Sequence, residues 1–165
     1  MRTYLTGALL LALSLPAGAQ TVTYLDDRST PQQVIASYYN AIQMRQFARA
    51  YSYRLRVVPD EAQDQLDQDY ATFRADIAPV TDLRFRVGTG FGDAGAGTIM
   101  TALPVVTETT SEDGTVAVQS GCLLVKQVSP DAQDLVPFQP TRITQIGMED
   151  SKDGFDATQM PDCAY

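Results

Sequence analysis

Residues 31–54, PQQVIASYYNAIQMRQFARAYSYR, constrain the fold more than any other stretch of the chain. Ile35, Tyr38, Tyr39 and Ile42 recur at i, i+3, i+4 and i+7, which puts four large side chains on one face of a helix. Thr30 supplies an N-cap hydroxyl, Pro31 sits at the first helical position, and Gln33 completes the capping-box pattern. A second short helix follows, with Phe47, Ala50 and Tyr51 on its apolar side. Two such helices need an apolar surface to cover, and the later sequence must provide it.

It does so with strands. A third helix is expected to open at Asp60 and Glu61, where acidic residues suit the helix dipole, and to run to about Ile77 with Leu66, Tyr70 and Phe73 on the same face. Pro79 ends it. Leu83, Phe85 and Val87 then alternate with Arg84 and Arg86, the period of a strand. Gly88 to Gly97 reads as a glycine-rich loop. Residues 98–110 and 115–128 read as strands around the hairpin turn Ser111-Glu112-Asp113-Gly114. Residues 129–140 form a long proline-containing loop, and Arg142 to Met148 a last strand. Helices first and an antiparallel meander second is the α+β class, with the helices on one face of about four strands.

The N-terminus, MRTYLTGALLLALSLPAGAQ, has a basic Arg2, an apolar run too short to cross a bilayer, a breaking Pro16 and the small-x-small sequence Ala17-Gly18-Ala19. It reads as a signal peptide, residues 1–19, cleaved after Ala19, which implies a periplasmic or secreted protein. An extended lead-in (20–30), one α+β domain (31–148) and an acidic tail (149–165) follow. With Arg2 removed, eleven basic residues face twenty acidic ones, and only Lys126 and Lys152 are lysines. Such a surface disfavours nucleic acid and anionic membranes as partners. An even pair of cysteines in an exported chain, Cys122 and Cys163, is expected to form a disulfide that pins the tail to a strand. Closing that loop is worth about 4 kcal/mol by the chain-entropy argument.

The order of landmarks resembles the nuclear transport factor 2-like superfamily, in particular its small exported bacterial members of undefined role. Tyr38-Tyr39-Asn40-Ala41-Ile42 and Phe47-Ala48-Arg49-Ala50-Tyr51 carry the resemblance, followed in order by Gly95-Ala96-Gly97, Pro104-Val105, Asp113-Gly114, Gly121-Cys122 and Arg142-Ile143. It covers about residues 31–147. Gln46 departs from it, because such chains often place Asp or Asn there to cap the second helix; whether the first two helices are separate is left open. The resemblance implies a cone-shaped fold with a pocket between the helices and a concave sheet. For that pocket, Tyr39, Ile42, Tyr51 and Met100 are the candidate lining residues. The superfamily includes isomerases, dehydratases, cyclases and non-catalytic binders, so the fold does not choose a function.

Individual motifs add little chemistry. Gly90-Phe91-Gly92-Asp93-Ala94-Gly95 matches the dinucleotide-binding pattern, but AGTIMTALPVV follows as a strand, so no helix N-terminus is available for a pyrophosphate. The acidic run at Asp60, Glu61, Asp64, Asp67 and Asp69 fits no calcium loop and reads as a solvated helix face. Without histidine there is no histidine base, Ser-His-Asp triad or histidine metal site. Asp76 and Asp82 read as surface or capping groups, and Arg84 and Arg86 as guards of a strand edge. No catalytic residue, metal or cofactor is assigned. The favoured expectation is a non-enzymatic exported domain that binds a small apolar ligand or a protein partner. The alternatives are a cofactor-free isomerase or cyclase with a carboxylate base, and an assembly module that forms a homodimer through its sheet.

Overall fold

A computed structural model describes residues 22–55, 63–134 and 136–164. The leader and the Asp60-Glu61 helix start lie outside the described residues. Helix α1 (Pro31–Gln43) begins as its capping pattern predicts: Thr30 is extended, and its Oγ1 accepts the Gln33 backbone N–H at 3.2 Å. Val34, Ile35, Tyr38, Tyr39, Ala41 and Ile42 are all buried. The helix ends in a Schellman arrangement, with Gln46 N–H donating to the Ala41 carbonyl at 2.9 Å and Arg45 N–H to that of Ile42 at 2.8 Å. Arg45 takes the left-handed conformation there, φ 55°, where glycine is usual. Its guanidinium donates to the carbonyls of Ala78 and Val80 at 3.1 and 3.0 Å, which gives a long side chain a reason to occupy the position. Helix α2 (Phe47–Ser52) therefore starts as a separate element, although Gln46 provides no side-chain cap. Helix α3 (Gln63–Ile77) buries Phe73 and leaves most of its surface to solvent.

Five antiparallel strands follow: β1 (Val80–Val87), β2 (Phe91–Gly95), β3 (Thr98–Ser111), β4 (Val116–Val128) and β5 (Arg142–Asp150). They form a curved, unclosed sheet in the order β1-β3-β4-β5, with β2 continuing the β1 edge along β3. The α+β fold with N-terminal helices on a curved antiparallel sheet is thus observed. The glycine-rich stretch 88–97 is a correction: it holds the paired strand β2, with Phe91 opposite Ala102 and Asp93 opposite Met100. Gly90 explains it. A β-carbon there would lie 2.8 Å from Leu103 Cγ and Thr101 Cγ2, so only glycine lets the chain close onto β3.

Alternation gives the sheet two buried faces. Leu83, Leu103, Val105, Leu123, Val125 and Ile143 meet the helices and form the main core with the α1 face, Ala50, Tyr53 and Phe73. On the far face, Ala102 and Val106 are also buried. The C-terminal segment carries buried Phe155, Thr158 and Cys163 across the strands. Arg86 donates to the carbonyls of Phe155 and Thr158 at 2.8 and 2.7 Å, and the Arg84 and Arg86 guanidinium carbons lie 4.2 and 5.1 Å from the centre of the Phe155 ring. The Cys122–Cys163 disulfide forms as expected, with the Cα atoms 5.8 Å apart. Arg84 and Arg86 are therefore tail anchors rather than an edge guard, though Arg84 also pairs with Glu108 at 2.7 Å.

Candidate functional site

Helix α3 touches the rest of the molecule through a narrow seam of aromatic contacts. Tyr51 of α2 stands between Tyr70 and Phe73 of α3, with ring centroids 5.4 and 5.1 Å apart. Below this seam, between α2, α3 and the start of β5, lies a cleft of about 340 Å³. Its walls are Tyr51, Phe73 and Ile143, and its rim holds Arg54, Asp69, Thr72, Asp76 and Thr144. The spacing of the α3 members explains their convergence: residues 69, 72, 73 and 76 fall at i, i+3, i+4 and i+7, on one helical face. The Arg54 guanidinium carbon stands 5.4 Å from the centre of the Phe73 ring. Five of the eight lining residues are polar or charged, so the cleft offers a mixed surface, and its volume is at the lower end of the range for small-molecule sites.

The four residues expected to line one pocket are not brought together. Tyr51 lines the cleft. Ile42 borders a smaller depression of about 190 Å³ with Val22, Gln43 and residues 80–83. Tyr39 stacks on Phe85 at 5.1 Å in the main core and lines neither depression. Met100 lies opposite Asp93 and Lys126, on the far side of the sheet, beside an open depression of about 420 Å³ that it shares with Asp93, Gly95, Thr98 and Leu124. Strand alternation accounts for this: Leu103 and Val105 face the helices, so Met100, an odd number of residues from each, cannot. The sequence reading missed Arg54, Thr144 and Ile143 as cleft members. Ile143 carried a signal as the apolar start of the last strand, whereas nothing in the pattern marks Arg54 or Thr144.

Electrostatics separates the core from the surface. Burial raises the pKa of Tyr38 and Tyr39, and in Tyr39 the neighbouring Tyr38 adds to it. In the cleft, desolvation and the nearby Asp69 charge raise that of Tyr51, so its hydroxyl stays a proton donor at neutral pH. The carboxylates that shift all shift downward. Asp26 is lowered by the Tyr53 hydroxyl, Asp27 and Asp113 by local hydrogen bonds to Ser29 and Thr115, and Glu108 by Arg84. Among the described residues, no three His, Cys, Asp or Glu groups converge as for a metal ion. No described helix is long and apolar enough to cross a membrane.

The lead-in, from residue 22 on, is docked against α1 and α2. Asn40 accepts the Leu25 N–H at 2.9 Å and donates to the Thr23 carbonyl at 2.8 Å. Ser37 accepts the Asp27 N–H at 2.8 Å. Arg49 donates to the Leu25 carbonyl and to Asn40, and the Tyr53 hydroxyl donates to Asp26. Arg28 reaches the Thr141 carbonyl at 3.2 Å, with its guanidinium carbon 4.0 Å from the Tyr53 ring centre.

Comparison with known proteins gives no name to these features. No protein-family model matches the chain, and no curated protein does. Among solved structures, the chain is similar to the crystal structure of the Kfla4162 protein from Kribbella flavida, at 11% sequence identity and a TM-score of 0.46 over 72% of this chain and 89% of that one.

Proposed function

We propose that this chain is an exported, non-enzymatic member of the nuclear transport factor 2-like superfamily that binds a small, mostly apolar molecule in the cleft between α2, α3 and β5. The observation that carries the reading is the cleft itself, in which Tyr51, Phe73 and Ile143 supply apolar surface among five polar side chains. Membership in the superfamily rests on the Tyr38-Tyr39-Asn40-Ala41-Ile42 and Phe47-to-Tyr51 motifs, on two separate helices and on the meander that follows them. Export rests on the leader sequence, with which the disulfide is compatible. Binding is preferred to catalysis because no spacing in the sequence singles out a carboxylate base paired with a hydroxyl donor. A homodimer through the sheet is disfavoured because the chain's own C-terminal segment is fastened to the far face at Arg86 and Cys122.

Native mass spectrometry of the mature protein, isolated without heat or denaturant from the periplasm, tests this. A small-molecule adduct is expected in the wild type and absent in Thr72→Trp, where an indole on an exposed position of α3 fills the cleft without touching the core. An adduct retained at wild-type occupancy in Thr72→Trp overturns the assignment of the site. A bare monomer, together with unshifted NMR resonances of Tyr51, Phe73 and Thr144 against a small-fragment library, overturns the binding reading.

A further inference from the structure

The C-terminal segment is fastened at two points of different chemistry, and the points are separable. The first is the clamp around Phe155 and Thr158, made of the Arg86 hydrogen bonds and the two guanidinium groups on the Phe155 ring. Thr158 Oγ1 also shares a hydrogen bond of 2.9 Å with Ser151 and donates to the Gly154 carbonyl at 3.0 Å, which folds residues 151–158 into a closed turn. Beyond Thr158 the chain changes character. The Met160 sulfur and the Pro104 ring both come close to Gly88, the Ala164 N–H is satisfied locally by Asp162, and the covalent hold on the sheet is the bond from Cys163 to Cys122. Cys122 is half-buried, opposite Pro104 on the face that bears Ala102 and Val106, whereas Cys163 is only 7% exposed. Along β4 the next residue on that face is Leu124, which lines the open depression with Met100.

We propose that residues 159–164 form a redox-operated cover: reduction of Cys122–Cys163 by a dithiol releases them from the far face while residues 151–158 stay clamped by Arg84 and Arg86. The exchange balances as follows. One reductant thiolate attacks Cys122 Sγ, the more accessible sulfur, and the S–S bond breaks with Cys163 leaving as a thiolate that takes up a proton. The second reductant thiol then displaces the mixed disulfide. Two protein thiols and one reductant disulfide result, with two electrons transferred. Release uncovers the Pro104 and Cys122 positions and joins them to the Met100 and Leu124 depression as one apolar strip.

Amide hydrogen exchange on the folded mature protein, with and without dithiothreitol, reads this directly. Reduction is expected to accelerate exchange in residues 159–164 by roughly tenfold or more, with residues 151–158 and helix α1 unchanged. The Cys163→Ser variant is expected to show the same pattern without reductant, and keeps the test readable if reduction proves slow. Unchanged protection of 159–164 on reduction overturns the proposal, because the cover would then hold without its latch. Acceleration spread over α1 and β3 also overturns it, because the bond would then be a staple of the whole fold.

Discussion

The two ends of the described chain solve one problem by opposite means. Each end lays an irregular segment against the α+β body, residues 22–30 along α1 and α2 and residues 151–164 across the far face of the sheet. The N-terminal segment is held by many polar contacts, each of ordinary strength, from Ser37, Asn40, Arg49 and Tyr53. The C-terminal segment is held at two places, the Arg86 clamp and a covalent bond. A dispersed attachment loosens in proportion to what is removed. A two-point attachment comes away in discrete pieces. On the proposal above, reduction of one bond frees residues 159–164 alone, whereas residues 22–30 hang on several hydrogen bonds of which no single one is decisive.

The strongest way to break this comparison is Asn40→Ala. Asn40 is 6% exposed and serves three partners at once, the Leu25 N–H, the Thr23 carbonyl and the Arg49 guanidinium. Its loss leaves buried polar groups unpaired, and a destabilisation of about 2–3 kcal/mol is expected in urea unfolding. Exchange at Leu25 should rise while the amides of Ala157 and Thr158 stay protected. If both ends loosen together, they are not independent and the contrast fails.

These two ends also show how far the sequence could be read. The tail anchor at Cys163 was legible because a disulfide in an exported chain is announced by the residue type itself. The N-terminal anchors were not, because Ser37 and Asn40 look like ordinary polar positions beside an apolar helical face. Both are buried, and their hydrogen bonds go to backbone groups far along the chain, which no periodicity records. Helix existence and strand alternation were legible for the same reason in reverse, being local patterns. The pocket residues suffered from a parity error: Met100 has the right chemistry but sits on the wrong face of β3. Tyr39 was correctly seen as a face residue of α1, but whether a buried aromatic packs or lines a cavity depends on what lies opposite it, here Phe85.

A smaller effect is expected from Arg86→Ala. The substitution removes both carbonyl contacts from the clamp but leaves Arg84 above the Phe155 ring. Hydrogen bonds from a charged donor are worth about 1.5–3 kcal/mol, and the remaining Arg84 contact and the disulfide retain part of the docking, so a loss of about 1–2 kcal/mol is expected. In the oxidised protein, exchange should accelerate in residues 155–158 and change little at residues 162–164, which the disulfide still holds. The reverse order of release would mean that the two attachment points are one cooperative unit.

The smallest effect concerns pH and only the N-terminal segment. The Tyr53 hydroxyl, with further help from Tyr24, Arg28 and Arg49, holds the Asp26 carboxyl below its ordinary value. A carboxylate with a depressed pKa in the docked state stabilises docking above the ordinary value of about 4, and the contribution disappears as pH falls through the lower docked value. Proton uptake on undocking should therefore make residues 22–30 open before the core does during acid titration. Asp27 is also depressed, through its own bonds to Ser29, so it must be separated from Asp26. The Asp26→Asn variant keeps an acceptor for Tyr53 but removes the titration, and the acid-dependent part of exchange at Leu25 and Asp27 should shrink. In Asp27→Asn it should persist. Flattening in Asp27→Asn with the response kept in Asp26→Asn would place it in the Asp27–Ser29 turn and not in the contact with Tyr53. The N-terminal attachment would then depend less on its link to Tyr53 than its hydrogen-bond geometry indicates.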